Sequence, residues 1–153
     1  MNEQIESIRK KRSSLLEQIN TLDTAALNQI PEGHNNNLAW NLGHMVAVQQ
    51  GVCYRRANLP TMISTDFWER YRPGTKPERI ISEAELTEIK QLLFSTLDQF
   101  ETDYGKHIFS NYTAWPGRHG VEVANIDDAI KFLAFHDGLH IDVISKQLAV
   151  ISR

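Results

Sequence analysis

Apolar residues recur at helical spacing in four stretches of the chain. In the first, from about Asn2 to Leu22, Ile5, Ile8, Leu15, Ile19 and Leu22 follow at steps of three, four or seven, with charged residues between them. That spacing predicts an amphipathic helix with one apolar face. The basic run Arg9-Lys10-Lys11-Arg12 falls in its middle and reads as the solvated face. After Pro31-Glu32-Gly33, three asparagines offer an N-cap, whose side-chain oxygen can accept a free backbone N–H. A second helix is expected from Leu38 to about Asn58, before Pro60, with Leu38, Leu42, Met45 and Val52 as its main apolar stripe. His44 lies toward the edge of that stripe, about 100° around from Met45. Ser82-Glu83-Ala84-Glu85 is a capping box, and Leu86, Ile89, Leu93, Leu97, Phe100 and Tyr104 follow it at helical spacing to Gly105. A fourth helix starts at Asn125, with Asp127 and Asp128 favourable near its positive end. Ile126, Ile130, Leu133, Ile144, Leu148 and Ile151 form its seam.

Two connections are long. Residues 60–80 hold Pro60, Pro73, Gly74 and Pro77 and read as a loop, which Phe67, Trp68 and Tyr71 pack down on the body. Residues 105–124 hold Tyr112, Trp115, Pro116, Gly117, Arg118, His119 and Gly120, a second ordered loop with a short β-like piece around Val121–Val123. Four helices, with no alternation long enough for a sheet, predict an all-α four-helix bundle as one domain over residues 1–153. An idealised up-down bundle needs shorter links, so at least one of these long loops crosses over the bundle end.

Composition narrows the classes. The 153 residues are 41% hydrophobic, enough to bury a core. Sixteen basic residues against nineteen acidic ones leave no basic excess, which argues against a nucleic-acid partner. The single cysteine excludes an intramolecular disulfide and a Cys-x-x-Cys pair. No apolar run is long enough to cross a membrane, and the N-terminus lacks the apolar stretch of a signal peptide. A cytoplasmic protein without a membrane partner is the expectation.

The chemistry lies in the histidines. The seam of the fourth helix has gaps near positions 137 and 140, filled by Asp137 and His140, with His136 one turn before His140. Burying such groups without partners costs kilocalories per mole. His-x-x-x-His places two imidazoles on one side of a helix, about 6 Å apart along the axis, close enough to share a metal ion. His44, on another helix near the apolar edge, is the best third ligand. Three histidines leave a fourth coordination position open, as catalytic sites do. The plain alternatives stay open: His44 as a core-edge histidine bonded to a carbonyl, and His136 and His140 bonded to Asp137 or to loop groups. His34, His107 and His119 fall in loops or at a helix end. The pattern lacks the Glu-x-x-His pairs of a di-iron bundle and the His-Glu-x-x-His of a zincin. Cys53 reads as a buried, inert thiol.

Asn36-Asn37-Leu38-Ala39-Trp40-Asn41-Leu42-Gly43-His44-Met45, paired with the late Phe135-His136-Asp137-Gly138-Leu139-His140, resembles the DinB-like superfamily. The resemblance covers nearly the whole chain. It implies a four-helix bundle holding a divalent metal, zinc or nickel, on His44, His136 and His140. Where many members continue with Arg-Gly-Gln or a similar polar stretch, this chain has Ile141-Asp142-Val143. Characterised relatives include metal-dependent thiol transferases, so the resemblance implies a low-molecular-weight thiol cosubstrate and a small-molecule electrophile. Metal-activated water for hydrolysis is the other chemistry such a site permits. Asp137 would orient an imidazole or act as a base, and Trp40, Arg118 and His119 would contact substrate. A non-catalytic metal-binding or stress-associated bundle is the alternative. Bundle faces outside the core commonly pair two copies, so a homodimer is a further expectation.

Overall fold

The computed structural model describes residues 2–118 and 120–151. Its helices are α1 (Glu3–Ile19), α2 (Thr24–Asn28), α3 (Leu38–Cys53), α4 (Thr65–Tyr71), α5 (Glu83–Gly105) and α6 (Ile126–Ile151), with one 3₁₀ turn at Arg55–Ala57. Asn2, Asp23, Asn37, Ser64 and Ser82 cap the first five, each accepting a backbone N–H of the first turn. The β-like piece is a single antiparallel bridge between Trp115 and Val123.

Four long helices make the bundle, as expected. α3 packs against α5 and α6, and α1 packs against the same two, so α1 and α3 stand diagonally opposite. The core is in two clusters, one toward each end. The first joins Leu15 and Ile19 of α1 to Leu38 and Leu42 of α3, Leu86 and Ile89 of α5, and Ile144 of α6. The second joins Ile5 and Ile8 to Val48 and Val52, Leu97 and Phe100, and Ile130 and Leu133. α1 and α6 therefore run one way, α3 and α5 the other. Neighbours that run parallel cannot be joined by a tight turn, so residues 54–82 travel back along the bundle, carrying α4. Phe67 and Tyr71 of that segment are buried, as the sequence predicts.

The structure corrects three expectations. α3 has no single apolar stripe: fifteen of its sixteen residues are buried, because α2 and α4 cover what α5 and α6 leave open. The helix also stops at Cys53, and Asn58 turns the chain in a left-handed conformation (φ 59°). The basic run on α1 is not one solvated face. Arg12 has no solvent exposure, and Arg9 is ion-paired to Asp98 and Glu101, each at 3.1 Å.

Candidate metal centre

Arg12 occupies the seam of α1 between Ile8 and Leu15. Its Nε donates to Asp137 Oδ2 (2.7 Å) and its Nη2 to Oδ1 (3.3 Å). Its Nη1 donates to Gln49 Oε1 (2.9 Å) and to the Leu93 carbonyl (2.7 Å). One side chain thus ties α1 to α3, α5 and α6. Asp137, expected as a base or as an imidazole's partner, has both oxygens on this guanidinium and is wholly buried.

His136 and His140 flank Asp137 on α6, and His44 meets them from α3. His44, His136 and His140 each offer a nitrogen within 4.8 Å of the others. The Nε2 atoms of His44 and His136 are 3.2 Å apart. Burial pushes the pKa of His44 and His140 down to about 4 and that of His136 to about 2, with the Arg118 charge adding to all three. All three imidazoles are neutral near pH 7, as metal ligation requires.

Their tautomers are set from behind. The Nδ1–H of His44 donates to the Tyr71 carbonyl (2.7 Å) at the end of α4. The Nδ1–H of His140 donates to Asn41 Oδ1 (2.8 Å). Asn41 is fixed in turn, because its Nδ2 donates to Asn36 Oδ1 (3.0 Å) and the Asn37 carbonyl (2.8 Å). Both imidazoles therefore turn bare Nε2 lone pairs inward. His136 is orphaned: its Nδ1 is buried without a partner, and its Nε2 faces the bare Nε2 of His44. Every neutral tautomer of His136 leaves a nitrogen unpaired. Three ring nitrogens converging with at most one N–H among them are what a cation relieves. Tetrahedral coordination at about 2.0–2.1 Å puts ligand nitrogens about 3.3–3.4 Å apart, close to the separation of His44 and His136. The donor set fits a divalent ion held by three imidazoles.

Close packing supports this geometry. A Cβ on Gly43 would come within 2.6 Å of the Tyr71 ring, so only glycine lets α4 lie near enough for its carbonyl to reach His44. Trp40 is stacked on His44, ring centroids 4.5 Å apart, and donates its Nε1–H to Thr75 Oγ1 (3.1 Å). Phe132 stacks on His136 at 5.8 Å and lines a cavity of about 520 Å³ with Arg118, Val121, Val123 and Phe135. Arg118 is exposed at its rim. His119 lies outside the described residues. Cys53 is buried, and burial pushes its thiol pKa far up, so it is an inert thiol.

Arg12 and the two groups that orient the ligands are the parts missed in the sequence. Arg12 carried a signal, since it falls where the seam of α1 needs an apolar residue. Asn41, a polar residue three before His44 on a buried helix, carried a weaker one. The Tyr71 carbonyl carried none.

Fold and site define a helical-bundle protein with a three-histidine candidate centre for a divalent metal. The chain belongs to the DinB superfamily, whose family model matches residues 7–144. No curated protein matches it. No helix among the described residues is long and apolar enough to cross a membrane.

Proposed function

We propose that this protein is a divalent-metal-dependent S-transferase that moves a low-molecular-weight thiol onto a small electrophile. The observation that carries the reading is the convergence of three neutral imidazoles, two of them oriented by Nδ1–H bonds to Tyr71 and Asn41. His44, His136 and His140 would hold zinc or nickel and leave a coordination position open. An ion bound there supplies the positive charge that lowers a thiol's pKa and favours the thiolate.

The chain's own residues do the rest. The Tyr71 carbonyl and Asn41 keep two imidazoles from rotating. Trp40 and Phe132 cover ring faces and exclude water from the ligand side. Arg118, at the rim of the cavity, would meet an anionic group of the substrate. Asp137 acts through Arg12 and holds the α6 backbone that presents His136. In the overall step the thiol gives its proton to solvent, a sulfur–carbon bond forms, and the leaving group departs from that carbon with its electron pair.

The test begins with elemental analysis of untagged protein beside the His140→Ala variant. About one zinc or nickel per chain is expected in the wild type and none in the variant. The loaded protein is then given glutathione or cysteine with 1-chloro-2,4-dinitrobenzene, and thiol consumption is followed. A rate above that of the variant supports S-transfer. Full metal occupancy with no such rate leaves a non-catalytic metal-binding bundle, and no metal in either protein removes both readings.

A further inference from the structure

A second site lies along α3, beyond the histidines. A groove of about 400 Å³ is lined by Val48, Gly51, Arg55, Arg56, Trp68 and Trp115, among others, and no acidic residue lines it. Such a volume suits a small molecule. The Arg55 guanidinium lies 4.3 Å over the Trp68 ring, and that of Arg56 lies 5.0 Å from the Trp115 ring centre. Arg9, Arg12, Arg70, Arg72 and Arg79 each meet a carboxylate. Among the described residues, Arg55 and Arg56 meet none. Two adjacent guanidiniums repel each other, and ordering two long side chains costs entropy. Stacking on indoles offsets part of that cost and fixes both forks in place.

The walls are set as well. A Cβ on Gly51 would come within 2.8 Å of the Trp68 ring, so glycine lets that indole lie against α3. Trp115 donates its Nε1–H to the Tyr112 hydroxyl (3.0 Å), which donates to the Val52 carbonyl (2.8 Å). Both walls are flat and apolar, and among the described residues the only charges on the groove are positive.

We propose that this groove binds a small molecule bearing a carboxylate on a flat, apolar body. The carboxylate sits on the Arg55 and Arg56 forks, and the body lies between the two indoles over Val48. Val48 is one turn beyond His44, and Trp115 packs edge-on against Phe132, which covers His136. That adjacency makes the groove a substrate subsite, a role that rests on the S-transfer reading. Binding itself does not rest on it.

The probe is trans-cinnamate, titrated calorimetrically into metal-free and metal-loaded protein, beside cinnamamide, acetate and inorganic phosphate. Saturable binding of cinnamate is expected, with the three controls weaker by about tenfold or more. Arg55→Gln and Arg56→Gln should each weaken cinnamate by about tenfold while leaving the melting temperature and metal content unchanged. Both residues are exposed, so these variants keep the fold. Lack of saturable binding, equal binding of cinnamamide, acetate or phosphate, or unaltered affinity in both variants would overturn the proposal. Metal content, read in the same samples, reports on the histidine centre independently.

Discussion

Arg12 and His136 are both buried polar groups at one turn of α6, Arg12 through its bond to Asp137, yet their surroundings differ in kind. Around Arg12 charge is balanced, and donors meet acceptors on three other helices. One loose end remains there, the Nε2 of Gln49. Around His136 ring nitrogens meet ring nitrogens, and in either neutral tautomer one of them has no partner. A buried polar cluster that satisfies itself belongs to the architecture. One that cannot do so without something added belongs to function.

The contrast breaks most sharply at the ion pair. Arg12→Met or Asp137→Leu alone leaves one charge buried and should cost about 3–5 kcal/mol in urea unfolding. The double variant should recover most of that loss, because packed apolar side chains replace a buried pair at little cost. A double variant as unstable as the singles would mean that the pair does more than satisfy itself.

The histidine cluster should respond in the opposite sense. His140→Ala is expected to weaken zinc or nickel by about a hundredfold or more in a chelator competition, while the metal-free protein changes by about 1 kcal/mol or less. Saturating metal, at about 1,000 times its Kd, should stabilise the wild type by about 4 kcal/mol.

Asn41→Ala removes only the acceptor behind His140. It should retain metal with affinity reduced about 10–100-fold. An unchanged affinity would show that Trp40 and the helix alone orient the ring.

A last effect is on pH. The histidines' folded pKa values lie below the ordinary 6.5, so the unfolded chain binds more protons than the folded one in mildly acid solution. Their contribution is complete above about pH 6.5 and is lost as pH falls toward about 4 for His44 and His140 and toward about 2 for His136. Urea midpoints of metal-free protein at pH 7.5, 6 and 5 should fall in that order, and less steeply in His140→Ala.

Legibility from sequence followed the contrast between polar and apolar. His136, Asp137 and His140 stood out because they interrupt the seam of α6. Arg12 interrupts the seam of α1 in the same way, but three charged neighbours made it read as part of a solvated run. α3 is buried almost all round, so it offers no periodic contrast, and a stripe covers only part of its buried surface. α2 and α4 are five and seven residues long, shorter than a periodic pattern can reveal. The bundle and the pair His136 and His140 were legible because they rest on spacing within helices, whereas His44 rested on its place in another helix and on the family resemblance. The carbonyl behind His44 was not, because it comes from a segment joined to α3 only through the fold.

That last dependence sets an order of events during folding. α1, α3, α5 and α6 can collapse on their apolar faces and bring the three imidazoles together. His44 has no fixed tautomer until the long return segment has docked and delivered the Tyr71 carbonyl. Docking of α4 is therefore the step that would complete the orientation of the candidate centre, and a slow docking step would appear as a lag in metal uptake after the helices have formed.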